Sequence, residues 1–126
     1  MHRKARLHAM IGGVNAAVAV LLGAFGAHAL RGRISEALLQ TWGTAVEYHF
    51  YHALGLFAVA FVASRLPDSR LVRWSGWLML AGIFLFSGSL YALCLTGRSA
   101  LGAITPFGGV AFVAAWVALA IAVLRE

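Results

Sequence analysis

Four long apolar runs, separated by short segments that carry most of the basic residues, limit what this chain can become. They span residues 9–30, 44–64, 74–95 and 105–124. A helix needs roughly 20 mostly apolar residues to cross about 30 Å of hydrocarbon, and each run is about that long. Backbone N–H and C=O groups surrounded by lipid tails must be satisfied within their own segment, and a helix does this. Hydrophobic residues make up 62% of the 126, and charged residues only 11%. Soluble domains carry about 25% charged residues, so too little polar material is present to cover a water-facing surface. The expected fold is all-α: a single transmembrane domain over residues 1–126, built as an antiparallel integral membrane four-helix bundle with short loops.

The basic residues set the expected topology. The formal charge is +6, but it punctuates the apolar runs instead of lining a groove. That distribution suits lipid headgroups and excludes nucleic acid as a partner. Arg3, Lys4, Arg6, Arg65, Arg70, Arg73 and Arg125 fall on the side of the two termini, and Arg31, Arg33 and Arg98 on the other. The excess predicts a multi-pass protein of the bacterial-type cytoplasmic (inner) membrane with both termini cytoplasmic. The basic N-terminus and Ala27-His28-Ala29 imitate a secretory signal with its cleavage site, but the apolar run exceeds a usual signal core, so retention is expected. Cys94 is the single cysteine, so no intrachain disulfide forms.

Start signals refine the spans. Thr44 followed by Glu47 fits a capping box, which places the start of the second span at Thr44 and Glu47 near the headgroups. Thr105-Pro106 reads as an N-cap before a proline at the first helical position. Between the first two spans, Ile34, Leu38 and Trp42 share one face, which predicts a short interfacial helix capped by Ser35. Trp42, Trp74 and Trp77 fall where aromatic belts form. Small residues step by three and four along the first span (Gly12, Ala16, Ala19, Gly23, Gly26) and the fourth (Gly108, Ala111, Ala115, Ala118, Ala122). In lipid such stripes bring helices into close packing, and part of one stripe is a candidate surface for a homo-oligomer or a membrane-protein partner.

The polar residues inside the spans are the candidate site. Ionisable groups within a membrane are functional suspects. His49 and His52 lie three residues apart, on one side of the helix; Glu47 is about 200° from His49 and does not join them. His52 is expected to bond to a neighbouring helix, with Ser87, Ser89 and Tyr91 as candidate partners and Tyr48 one turn away. His28 and His49 are the pair considered for haem or a metal. No metal-binding motif supports either cofactor, so no cofactor is expected. Ser87, Ser89 and Cys94 lack a nearby acid, Asp68 falls on the opposite side of the membrane, and no catalytic residue is assigned. Asn15 is a lone amide with a packing or bonding role, and Trp116 is mid-span.

Four stretches carry a resemblance: "GAFGAHAL", "WGTAVEYHFYHALGL", "LFSGSLYALCLTG" and "LGAITPFGGVAFVAAW". In this order they resemble the YgdD/YwdK-like family of small four-span membrane proteins, a domain of unknown function. The resemblance runs from about Gly12 to Trp116. It implies an inner-membrane four-helix protein and brings no activity, substrate, cofactor or catalytic residue. In that family, glutamine is common at the position of His49 and histidine is typical at that of His52.

Three functional readings follow. The first is a non-enzymatic accessory or assembly protein, or a small-ligand or lipid-binding bundle. The alternative is an oligomeric transporter or proton conductor that uses the outer-leaflet cluster of His52, Tyr48, His49 and Tyr91. The third is a haem- or metal-binding redox protein centred on His28 and His49.

Overall fold

The computed structural model describes residues 2–125. Four helices carry the fold: α1 (Arg3–Leu30), α2 (Glu36–Arg65), α3 (Arg70–Thr96) and α4 (Ser99–Leu124). All four are long and apolar enough to cross a membrane. The described residues contain no named strand; the nearest approach to one is an isolated bridge between Arg31 and Ile34. Helix α1 packs along α2, α3 packs along α4, and α2 joins the two pairs. At its first turns α1 also reaches α3, where His8 lies against Gly76 and Trp77.

The separate interfacial helix is absent. Ser35 does cap a helix, its Oγ accepting from the Leu38 N–H at 3.1 Å, but that helix is α2 itself, 30 residues from Glu36 to Arg65. Thr44 is therefore an interior residue, and its hydroxyl donates to the Gln40 carbonyl at 3.2 Å. The capping box at Thr44 and Glu47 is not formed. Gly43 in mid-helix costs about 1 kcal/mol relative to alanine, and tertiary anchoring overrides it. Trp42, 2% exposed, donates its indole N–H to the Leu22 carbonyl of α1 at 2.8 Å. Gly26 has no Cβ and so leaves space for that ring. Trp42 thus belongs to the core and not to an aromatic belt, whereas Trp74 and Trp77 are exposed. The shared face of Ile34, Leu38 and Trp42 packs with Leu30 and Cys94 inside the bundle.

The remaining junctions are short. Arg65 ends α2, and Ser69 caps α3 by accepting from the Val72 N–H at 3.3 Å. Helix α3 ends at Gly97, whose φ of 73° satisfies the left-handed cap that glycine adopts without strain. Helix α4 opens with a 3-10 turn, Ser99–Ala103, and becomes α-helical at Thr105. Thr105 is consequently a first-turn residue and not the N-cap; its hydroxyl pairs with that of Ser89 on α3 at 2.6 Å. Pro106 does sit in the first turn, as its missing N–H permits.

Two π turns interrupt the α-helical ladder, Gly26–Leu30 in α1 and Ile83–Gly88 in α3. At the second, Gly108 of α4 lies so close to the backbone of Leu85 and Phe86 that a Cβ there would collide with main-chain atoms. The small-residue stripes face these contacts: Gly12, Ala19 and Gly26 are buried against α2, and Gly108, Ala111, Ala115 and Ala122 lie inside the bundle. Along α3, Ser75, Gly82 and Ser89 are buried at a seven-residue spacing.

Candidate functional site

Helix α2 presents His49 and His52 to different neighbours. His49, 4% exposed, sits between α1 and α3. Its Nε2 lies 3.0 Å from Asn15 Oδ1, and its Nδ1 lies 2.9 Å from the Tyr91 hydroxyl. The Asn15 side-chain NH2 donates to the Ile11 carbonyl at 2.9 Å. The donors order themselves: Oδ1 can only accept, so His49 Nε2 carries the hydrogen and Nδ1 accepts from Tyr91. Every polar atom is satisfied with a neutral ring, which is what a buried polar network requires.

His52, 5% exposed, faces α4. Its Nδ1 donates to the Tyr48 carbonyl at 2.7 Å, and its Nε2 accepts from the Trp116 indole N–H at 3.0 Å. This ring is also neutral, in the opposite tautomer. It stacks on Phe112 with ring centroids 3.5 Å apart and planes 7° from parallel. Of the expected partners of His52, Tyr91 bonds instead to His49, Ser87 donates to the Ala45 carbonyl at 2.7 Å, and Ser89 pairs with Thr105. The interhelical bond of His52 comes from Trp116, 64 residues away, which no spacing within α2 indicates.

The polar residues therefore form two clusters and not one. His28 joins neither: it is exposed on the π turn of α1, 13 residues from Asn15, which is roughly 20 Å along the helix. The structure does not bring His28 to His49. Among the described residues, no group of three or more His, Cys, Asp or Glu is placed to hold a metal ion. His8 was not singled out from the sequence. It is buried, with Nδ1 donating to the Lys4 carbonyl at 2.9 Å and Nε2 without a partner. Its phase with Ala5, Gly12 and Ala19, all buried on α1, was the available signal.

Depth changes with the true length of α2. From Glu36 to Arg65 the helix spans about 45 Å, and Glu47 lies roughly 16 Å from its start. Val46 meets Gly23, and His49 meets Asn15, so Glu47 is level with the middle of the apolar run of α1. Ala45 meets Ser87, near the middle of α3. Glu47 is thus level with the middle of its neighbouring helices instead of in the first turn of α2, and His52 lies one to two turns further along α2. Glu47 is exposed, on the side of α2 opposite its buried face.

Two apolar hollows that share Trp116 lie along the α2–α4 surface. The first is an aromatic cleft of ≈ 540 Å³ lined by Tyr48, Tyr51, His52, Phe86, Phe112 and Trp116, together with Gly109 and Val113. Trp116 is also a wall of the next hollow, ≈ 480 Å³, which continues past Val62, Leu119 and Val123. At the end of the helices a polar hollow of ≈ 580 Å³ is lined by Arg65, Arg70, Arg125, Asp68 and Ser69. Tyr51 and Arg65 are 14 residues apart on α2, about 21 Å.

Comparison with known proteins supplies a family and no activity. A family profile described as "Protein of unknown function (DUF423)" matches residues 22–109. The UPF0382 membrane protein YwdK of Bacillus subtilis is 56% identical over 116 residues, 92% of this chain and 94% of the relative. A UPF0382 membrane protein of Staphylococcus aureus is 46% identical over 95% of this chain and 97% of its own. A relative of the same description from Staphylococcus epidermidis is 46% identical over 92% and 93%. No solved structure matches the chain significantly.

Proposed function

The chain belongs to the UPF0382 (DUF423) family of membrane proteins of unknown function, and from that premise we propose that it is a non-enzymatic bundle that binds an anionic phospholipid. The observation that carries this reading is the pair of apolar hollows that share Trp116 on the α2–α4 surface, with a separate arginine-lined hollow at the end of the same helices. Ligand sites of 300–1,000 Å³ with apolar walls and a few placed polar groups are typical of small-molecule binding. Here the walls suit an acyl chain, and the run of about 21 Å suits its length. Arg65, Arg70 and Arg125 suit a phosphate, as basic hollows between helices at the membrane edge do. His52 has both nitrogens engaged, so it shapes the cleft and supplies no reactive atom.

The same arginines belong to the basic side of the chain, so in this reading the headgroup hollow faces the cytoplasmic leaflet of the inner membrane, on the side of the two termini. Native mass spectrometry of protein extracted into mixed phosphatidylglycerol and phosphatidylcholine micelles tests the reading. Phosphatidylglycerol is expected to stay bound preferentially. Arg65→Ala with Arg125→Ala is expected to remove the preference, and Gly109→Leu, which fills part of the cleft, to reduce retention of both lipids. Equal retention of the two lipids by the unaltered protein overturns it.

A further inference from the structure

We propose that the outward face of α2 is a self-association surface, joining two copies in parallel through Glu47 and Tyr51. The face is defined by Gln40, Thr44, Glu47, Tyr51, Leu54 and Phe61. All six are exposed; Gln40, Thr44, Glu47, Tyr51 and Leu54 step by four and three in strict alternation, and Phe61 follows seven residues on. That spacing is the seam along which two helices pack as a left-handed pair. The bundle uses the opposite side of α2: His49, Ala53, Leu56 and Ala60 are buried.

An ordinary lipid-facing surface is apolar at this depth. Glu47 instead places a carboxylate at the level where His49 meets Asn15 and Ala45 meets Ser87, near the middle of two neighbouring helices. Charged side chains at bilayer mid-depth are rare and are paired or face a protein interior. A second copy supplies the missing pair. Tyr51, one turn after Glu47, is exposed and stands edge-on to Tyr48 with ring centroids 5.8 Å apart, and the N-terminal lean of helical side chains keeps its hydroxyl near the level of Glu47. In a parallel pair about a two-fold axis along the membrane normal, each Tyr51 O–H donates to the other copy's Glu47, and Gln40 and Thr44 face their counterparts. The surface is self-complementary, as a two-fold contact requires. It borders the aromatic cleft at Tyr51 without depending on lipid binding.

Disulfide cross-linking of the full-length protein in native membranes tests this, in a Cys94→Ala background. Thr44→Cys, Tyr51→Cys and Leu54→Cys are expected to give dimers on oxidation. Val14→Cys and Leu21→Cys, on the exposed face of α1, are expected to stay monomeric. A second measurement uses energy transfer between labelled copies in liposomes. Glu47→Leu is expected to weaken association roughly tenfold, Tyr51→Phe to weaken it less, and Glu47→Gln, which keeps an acceptor oxygen, to preserve it. Monomers at every α2 position, cross-linking as strong through α1, or association unchanged by Glu47→Leu would overturn the proposal.

Discussion

His49 Nε2 and Asn15 Oδ1 lie 3.0 Å apart, and this one bond ties the middle of α2 to the middle of α1. Replacing Asn15 with alanine leaves a buried N–H without an acceptor. Asn15→Ala is therefore expected to destabilise the protein by about 1–3 kcal/mol, the penalty of an orphaned buried group. Asn15→Ala combined with His49→Ala should lose less than the sum of the two. Thermal unfolding in detergent micelles, run as a double-mutant cycle, measures the difference; additive losses would mean the bond contributes nothing.

The two buried histidines are expected to hold their protons on different nitrogens. His49 has its hydrogen on Nε2, because Asn15 Oδ1 can only accept, and His52 has its hydrogen on Nδ1, because the Tyr48 carbonyl can only accept. Nitrogen-15 spectra of histidine-labelled protein in lipid distinguish the tautomers. Tyr91→Phe should shift the His49 Nδ1 resonance alone, and Trp116→Phe the His52 Nε2 resonance alone. A common tautomer for both rings would contradict the network.

Trp42 is a second device, beside the Ser35 cap, that holds the first turns of α2. Its indole donates to the Leu22 carbonyl, a group on a neighbouring helix, at 2.8 Å. Trp42→Phe keeps most of the packing and loses this bond, so a loss of about 0.5–1.5 kcal/mol is expected. Hydrogen exchange should rise first over residues 36–43, the turns that Trp42 anchors, while the interior around Leu56 and Met79 stays protected. Uniform exchange along α2 would show that the anchor is elsewhere.

What was legible in the sequence had a local cause. The four spans follow from run length against bilayer thickness, and the buried stripes of α1 and α4 from the three-and-four spacing of glycine and alanine. Ser35 was readable as a cap because its hydroxyl serves a neighbour three residues on. The errors came where a local signal competed with a distant one. Thr44 and Glu47 spell a capping box, but Trp42 reaching Leu22 and Ser87 reaching Ala45 hold the chain helical through that point. Starting α2 at Thr44 in this way also made Glu47 a first-turn residue, whereas α2 begins at Glu36. The partners of His49 and His52 lie 34 and 64 residues away in sequence. No spacing within one helix points across such separations.

Adjacent glycines of α4 offer the sharpest test of helix packing. At Gly108 a Cβ would overlap the main chain of Leu85 and Phe86, atoms that cannot rotate aside. At Gly109 nothing lies within 4 Å of the same added atom. Overpacking a close contact typically costs about 1–3 kcal/mol, while alanine improves on glycine in a helix by about 1 kcal/mol. Gly108→Ala is expected to lower stability and to loosen α4 from the π turn of α3, breaking the 2.6 Å bond between Ser89 and Thr105 one turn away. Gly109→Ala is expected to leave stability unchanged or raise it. Unfolding midpoints of the two variants in the same detergent decide the matter. If Gly108→Ala is as well tolerated as Gly109→Ala, α4 does not approach α3 as closely as described.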